Sequence, residues 1–307
     1  MSADAKVPSS LSVAGASAVP STDACPEPLR LGVLVGSPRR GNCAYLAREV
    51  LVPSLGAQDL DVSVRLLADF DVEGCLGCGA CSHTGTCVLF APCESARACR
   101  AGRAAAGDAH DAGWAAAVGV CDTSARDAAA PESFAAGSVG SGRGSDDRSA
   151  AERRPRGTLL DLIAWLDGLD ALVLVAPLYF AGPPAQLKAL FDRLQFLWGR
   201  RYMLKVWPAL PLEQRRPALV LAVGGGGDPF GSKALVTCAH SALRMMDFEV
   251  EVSEALVGYR TGRPDVPTDA QFEARAVERA SELAALLYDR GPFARRGQID
   301  PLARFDC

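Results

Sequence analysis

Four cysteines, Cys75, Cys78, Cys81 and Cys87, fall in the pattern C-x2-C-x2-C-x5-C. Thiolates are soft ligands, and three of them at steps of three let one tight loop wrap three corners of a cubane. The fourth, beyond a turn at Gly85, can close the last corner. Four thiolates on one site suit a 4Fe–4S cluster or zinc. The compact x2–x2 spacing favours the cluster over a zinc ribbon, whose cysteine pairs stand far apart; a reduced thiol loop is the remaining alternative. Gly74, Gly77, Gly79 and Gly85 let backbone N–H groups turn towards the sulfurs. His83 is a weaker candidate ligand.

A second motif, GSPRRGNC at 36–43, suits a phosphate. It joins an apolar run to a helical one, so a bound anion would meet free backbone N–H groups and the positive end of a helix dipole. Gly36 and Gly41 let the backbone approach, Ser37 and Asn42 can donate hydrogen bonds, and Arg39 or Arg40 can pair with a dianion through its planar fork. The motif lacks the Gly-Lys-Ser/Thr of a P-loop and is not G-x-G-x-x-G. Two further loops follow apolar runs: 177–184, with Pro177, Leu178, Tyr179 and Phe180, and the glycine-rich 224–231, with Gly225 and Gly226. Four glycines there favour close approach of the backbone to a flat ring. His83, His110 and His240 sit in unrelated contexts, and no Ser-His-Asp or Cys-His arrangement is visible, so no side chain is expected as an obligatory acid or base. Lys188 and Arg193 read as solvated or structural.

The elements that must position these loops alternate. Apolar runs at 29–35, 170–176 and 218–223 read as strands buried on both faces. The runs 61–67 and 247–253 are half polar, as sheet edges are. Helical patterns fill 42–52 (closed by Pro53), 159–169, the stretch after Pro183–Pro184, and 232–246. A last helix begins at Thr268 with Gln271 as a capping box and stops at Gly291–Pro292. Alternating strands and helices imply a doubly wound parallel sheet. With the second and fifth strands at the edges, its order is 2-1-3-4-5, the flavodoxin-like α/β arrangement. In such sheets ligands bind at the carboxyl ends of the strands, where all three loops fall.

The chain has 307 residues, 49% hydrophobic, with net charge −4. The apolar fraction sustains a core, the acidic balance argues against nucleic acid, and no apolar run reaches membrane-spanning length. Eleven cysteines, four of them within thirteen residues, read as a redox or metal site in an intracellular chain, and a cytoplasmic location is expected. Residues 1–28 read as a disordered leader rather than a signal peptide, 29–290 as one domain, and 291–307 as a C-terminal tail. Between Leu89 and Leu159 there is no leucine, isoleucine or methionine, so 91–158 reads as a flexible, low-complexity insertion dispensable for cofactor binding.

GSPRRGNC, CLGCGACSHTGTC and APLYFAGPPAQLKALFDR together resemble the NADPH-dependent FMN reductases of flavodoxin-like fold, and more narrowly their iron–sulfur flavoprotein branch. The resemblance covers about 29–90 and 159–290. It implies that Ser37, Arg39, Gly41, Asn42 and Cys43 hold the FMN phosphate, and that Pro177, Leu178, Tyr179 and Phe180 line the isoalloxazine with Gly225 and Gly226. Relatives usually carry threonine where Cys43 stands, which leaves its backbone N–H as the surer donor. The implied activity is an FMN-dependent oxidoreductase. Its donor is NAD(P)H or a ferredoxin-like carrier, its acceptor a small molecule, and it carries a 4Fe–4S cluster on Cys75, Cys78, Cys81 and Cys87. A cluster-free NAD(P)H-dependent flavin or quinone reductase and a non-enzymatic flavin electron carrier are the alternatives. A homodimer or higher homo-oligomer is expected, with Phe196, Trp198, Tyr202, Met203 and Trp207 at the interface.

Overall fold

The computed structural model describes residues 27–90, 157–226 and 229–305. Almost all of the expected leader and of the insertion, and with them the question of their flexibility, lie outside these residues. The chain forms β1 (Arg30–Val35), then a continuous helical stretch of α1 (Asn42–Tyr45), a π-helical segment (Leu46–Leu51) and α2 (Val52–Gly56). β2 (Asp61–Leu66), β3 (Phe70–Asp71) and α3 (Cys81–Thr84) follow. Beyond the insertion come β4 (Gly157–Thr158), α4 (Leu159–Asp167), β5 (Ala171–Pro177), α5 (Ala185–Arg193) and α6 (Gln195–Trp198). The last elements are β6 (Arg216–Gly224), α7 (Lys233–Leu243), β7 (Phe248–Val257) and α8 (Asp269–Arg290).

Five strands form one parallel sheet in the order β2-β1-β5-β6-β7, which is the expected 2-1-3-4-5 flavodoxin-like arrangement. Side chains of the central strands alternate between two apolar layers. Leu172, Leu174 and Ala176 of β5 face a layer built with α4, α5 and α7, while Val173 and Val175 face one built with the first helical stretch and α8. β1, β5 and β6 are buried on both faces and the edge strands β2 and β7 carry the exposed positions. Thr268 and Gln271 cap α8 reciprocally, as expected, and Thr158 and Asp161 do the same for α4.

Four expectations are corrected. The first helix does not stop at Pro53 but runs to Gly56. The π-helical turn shifts the hydrogen-bond register just before it, and Pro53 falls in the first turn of the resumed α-helix, where a missing N–H costs little. Residues 157–158 are not part of a loose insertion, because Phe70 and Asp71 pair with Gly157 and Thr158 in a small parallel sheet. The C-terminal segment is no free tail: Phe293 and Ile299 are buried against the body. Finally, Phe196 is fully buried and stacks edge-on against Phe90, so it belongs to the core and not to an interface. Tyr202 and Met203 are half exposed.

Candidate functional site: the carboxyl end of the sheet

The loop after β1 is held from below by the Gly36 N–H donating to the Val175 carbonyl at 2.9 Å. Ser37 is buried, and its Oγ accepts the Arg39 N–H at 3.1 Å. That Asx-like turn lifts Arg39 into solvent, where its Nη2 donates to the Tyr179 hydroxyl at 2.9 Å. Strands β1 and β5 are neighbours at the point where strand order reverses, so this bond bridges the two loops at the switch point. Gly41 caps α1 with no side-chain hydrogen bond, so the first-turn N–H groups face the loop without a side-chain acceptor.

The other first-loop residues divide. Arg40 turns away to pair with Asp69. The Asn42 amide donates to the Tyr259 carbonyl at 3.4 Å, closing the loop against the segment after β7. Cys43 points its thiol into the apolar layer beneath; burial pushes it up to about 12, so it stays a neutral thiol. Its backbone, at the start of α1, is what it can offer an anion. These groups fit a phosphate: an uncapped helix start, a free guanidinium edge and a buried serine turn.

The loop after β5 is a tight turn. Tyr179 and Gly182 exchange backbone hydrogen bonds at 3.0 Å, and Phe180 and Ala181 both sit at positive φ (51° and 61°). Pro177 ends the strand in the core, Leu178 packs on Gly224, and Phe180 stands fully in solvent. Non-glycine residues in this conformation are strained, and such strain collects at ligand-holding turns. The loop after β6 passes Gly225 and Gly226 beneath the Arg263 guanidinium, whose Nη1 donates to the Gly225 carbonyl at 3.3 Å. Arg263 and Tyr259 were not singled out from the sequence. The signal was present in Gly258 and Gly262 interleaved with Arg260 and Arg263 directly after an edge strand.

An apolar cavity lies away from the phosphate loop. A groove of about 940 Å³ runs between α5 and α7, entered past Phe180 and Phe230 and floored by Phe191, Leu194 and Met245. It opens beside the turn expected to line a flavin ring.

The cysteine loop lies across α5 and α6. Cys75 and Cys78 are exposed; Cys81 and Cys87 are half buried against the apolar layer. The Gly77 N–H donates to the Cys75 sulfur at 3.3 Å, and the Leu89 N–H reaches the Cys87 sulfur. Burial, then the neighbouring thiols Cys87, Cys78 and Cys75, push Cys81 up to about 11, which places all four in one electrostatic neighbourhood. Burial also raises Cys87, partly offset by Arg193. Among the described residues no three His, Cys, Asp or Glu side chains converge as a single ion requires. A cubane, whose thiolates bind separate corners, asks for wider spacing.

Two devices hold this loop. Gly199 lets the helix backbone approach the Cys81 carbonyl so closely that a Cβ would stand 2.4 Å from it. Buried Arg200 donates to the Gly85 carbonyl at 2.6 Å and to the Asp300 and Ala303 carbonyls at 2.7 and 2.9 Å. The C-terminal segment thereby straps the loop: the Phe305 N–H donates to the Thr84 carbonyl at 3.0 Å, and the Thr86 hydroxyl to the Pro301 carbonyl at 2.6 Å. Gly85 sits at φ +67°, and a Cβ there would strike the Phe305 ring.

Among solved structures the chain is similar to a flavone reductase, at 11% identity and TM-score 0.45 over 85% of this chain, and spans 64% of that protein's length. It is also similar to an oxidoreductase from Corynebacterium diphtheriae (15%, TM-score 0.40, 85% of this chain and 98% of that one). A third is an NAD(P)H:quinone oxidoreductase from Methanothermobacter marburgensis (14%, TM-score 0.40, 83% and 94%). No curated protein matches it in sequence. Residues 145–255, which supply both the Tyr179 turn and the glycine-rich loop, match the family model of the NADPH-dependent FMN reductases.

Proposed function

We propose that the protein is an FMN-dependent oxidoreductase that takes electrons from NAD(P)H and passes them to a small-molecule acceptor. The observation that carries this reading is the Arg39–Tyr179 bridge across the switch point, with an uncapped helix start on one side and the strained Phe180–Ala181 turn on the other. Ser37, Arg39 and the backbone from Gly41 to Cys43 would hold the phosphate. Pro177 to Phe180, with Gly225 and Gly226, would border the ring. When bound, FMN supplies hydride acceptance and release of single electrons. The chain's own part is to bind, orient and shield. Arg39 would donate to the phosphate, with its guanidinium held by the Tyr179 hydroxyl. Phe180 and the groove beside it give an apolar wall along which an acceptor can lie.

The finer part of the proposal is a 4Fe–4S cluster on Cys75, Cys78, Cys81 and Cys87. What supports it is the Gly77 N–H on the Cys75 sulfur and the common electrostatic neighbourhood of the four thiols. Hydrogen bonds to the sulfurs are among the levers by which proteins tune such centres. The cluster would open a one-electron route to a ferredoxin-like carrier. A homodimer, with the solvent-facing Phe180 and Phe230 covered by a second copy, completes the proposal.

Anaerobic purification tests both levels. One FMN per chain and NAD(P)H-dependent quinone reduction are expected, with iron and sulfide in equal amounts and a brown colour. Protein that binds no FMN sinks the oxidoreductase reading. FMN without iron sinks only the cluster and leaves the plain reductase. A monomeric mass by light scattering removes the homodimer.

A further inference from the structure

We propose that the groove between α5 and α7 is the acceptor site, shaped for a planar aromatic molecule that carries one anionic group. This rests on the FMN-dependent reading above and names its substrate class. The groove measures about 940 Å³, near the upper end of the roughly 300–1,000 Å³ that small-molecule sites occupy. Its floor is apolar, made by the buried Phe191 and Leu194 with Met245. Its mouth is fixed beside the turn expected to border the ring. The Leu235 N–H of α7 donates to the Ala181 carbonyl at 3.2 Å and so ties that helix to the Phe180 turn. A molecule lying in the groove therefore has one end at that turn.

Three polar side chains run along the α7 wall. Lys233, Thr237 and Ser241 recur every four residues, so they share one face of the helix, and all three are exposed in the groove. Among the described residues none of these side chains has a hydrogen-bond or ion-pair partner. The other two charges of the lining, Lys188 and Asp192, pair with each other at 2.5 Å and cancel. Lys233 is thus the one charge of the described lining without a counter-charge, in a chain whose net charge is −4. The occupant that this lining selects combines an apolar plane for the floor, acceptors for the two hydroxyls and one negative charge for the ammonium. An aromatic quinone bearing a sulfonate or carboxylate has all three. A nicotinamide dinucleotide does not, since its pyrophosphate brings two negative charges to a groove with one uncommitted cation. Reduction of the quinone to the hydroquinone takes two electrons and two protons: NAD(P)H supplies a hydride and solvent the other proton.

The test uses the full chain with FMN bound and two acceptors, the neutral menadione and a naphthoquinone sulfonate. Isothermal titration calorimetry reads the Kd of each quinone, and steady-state NAD(P)H oxidation reads its KM. Lys233→Gln should raise both constants for the sulfonate about fivefold relative to those for menadione. Thr237→Trp should fill the groove and raise both constants on the order of tenfold for either quinone. Lys205→Gln, which removes an exposed charge outside the groove, should change neither. If Thr237→Trp does not fold, Lys233→Gln decides. An equal response of the two quinones to Lys233→Gln, or a KM shift confined to NAD(P)H, overturns this inference and leaves the oxidoreductase standing. So does a dimer that Thr237→Trp turns into a monomer, because a second copy then fills the groove. Protein that binds no FMN overturns the oxidoreductase reading itself, and the acceptor site with it.

Discussion

The two ends of the sheet solve opposite problems. At the amino end, charge is buried and densely hydrogen-bonded, though Arg216 Nε and Asp167 Oδ1 have no partner among the described residues. Arg216, fully enclosed, donates to the Leu166, Asp167 and Leu169 carbonyls at 2.8, 3.2 and 2.9 Å and to that of Met246, and lies between the rings of Phe248 and Phe293. Asp170 accepts the Arg30 and Phe293 N–H groups, each at 2.8 Å, and Asp167 accepts that of Ile299 at 2.8 Å. At the carboxyl end the loops hold few bonds among themselves, sit at positive φ and leave aromatic side chains in water. One end ties down the first strand, the linker after α4 and the C-terminal segment. The other keeps donors uncommitted. Stability and ligand binding are thus assigned to opposite faces of the same sheet.

The comparison is broken most severely at Arg216. Arg216→Met should cost about 3–5 kcal/mol, because the carbonyl cage and the nearby carboxylates lose a cation they were built around. Urea unfolding should show the midpoint fall with FMN affinity of the remaining folded protein unchanged. A loss under about 1 kcal/mol would mean the amino end is not the stabilising one.

At the carboxyl end the effect should move from stability to binding. Arg39→Ala removes a charge-assisted hydrogen bond to the phosphate, worth about 1.5–3 kcal/mol, so the FMN Kd should rise on the order of 10- to 100-fold. Its exposure predicts a stability change within about 0.5 kcal/mol. Flavin fluorescence titration and thermal unfolding on one preparation separate the two; equal FMN affinity in the variant would remove Arg39 from the site.

The same division explains what could be read from the residues in order. Strand order followed from polarity: Asp61, Ser63 and Arg65 on one edge strand, Glu249 and Glu251 on the other, against unbroken apolar runs between them. The loops of the carboxyl end were legible because glycine, proline and arginine after an apolar strand mark them locally. The amino end was not. Nothing beside Arg216 there, or beside Arg200 or Arg193 at the cysteine loop, tells that its guanidinium is buried, since their acceptors are carbonyls 30 to 120 residues away. The C-terminal strap was missed for the same reason, as Phe293, Ile299 and Phe305 are too sparse to show a period. Pro53 misled because its cost depends on a π-helical turn that leaves no mark on composition.

A smaller effect should appear on the β7 edge, at the amino end but outside the Arg216 cage. Glu249 receives Arg215 Nη1 and His240 Nε2 at 2.6 Å each, with Arg244 Nε at 3.5 Å. Burial by itself would push its carboxyl up; the hydrogen bonds from Arg215 and His240 and the charges of His240 and Arg244 outweigh that and hold it below the usual glutamate range. In the window between the folded value and the unfolded one, the unfolded chain binds the proton more readily. Stability from this group is therefore fully present above the unfolded glutamate range and is lost as pH falls through the folded value. Glu249→Gln should lower stability at neutral pH and flatten the acid limb of a plot of urea midpoint against pH. The loss should be smaller than at Arg216, because Glu249 lies at the sheet edge with part of its surroundings in water. A variant whose acid limb keeps the native slope would show that the acid sensitivity comes from other carboxylates. Asp167 cannot supply that limb: burial raises its carboxyl, so its contribution to stability grows as pH falls.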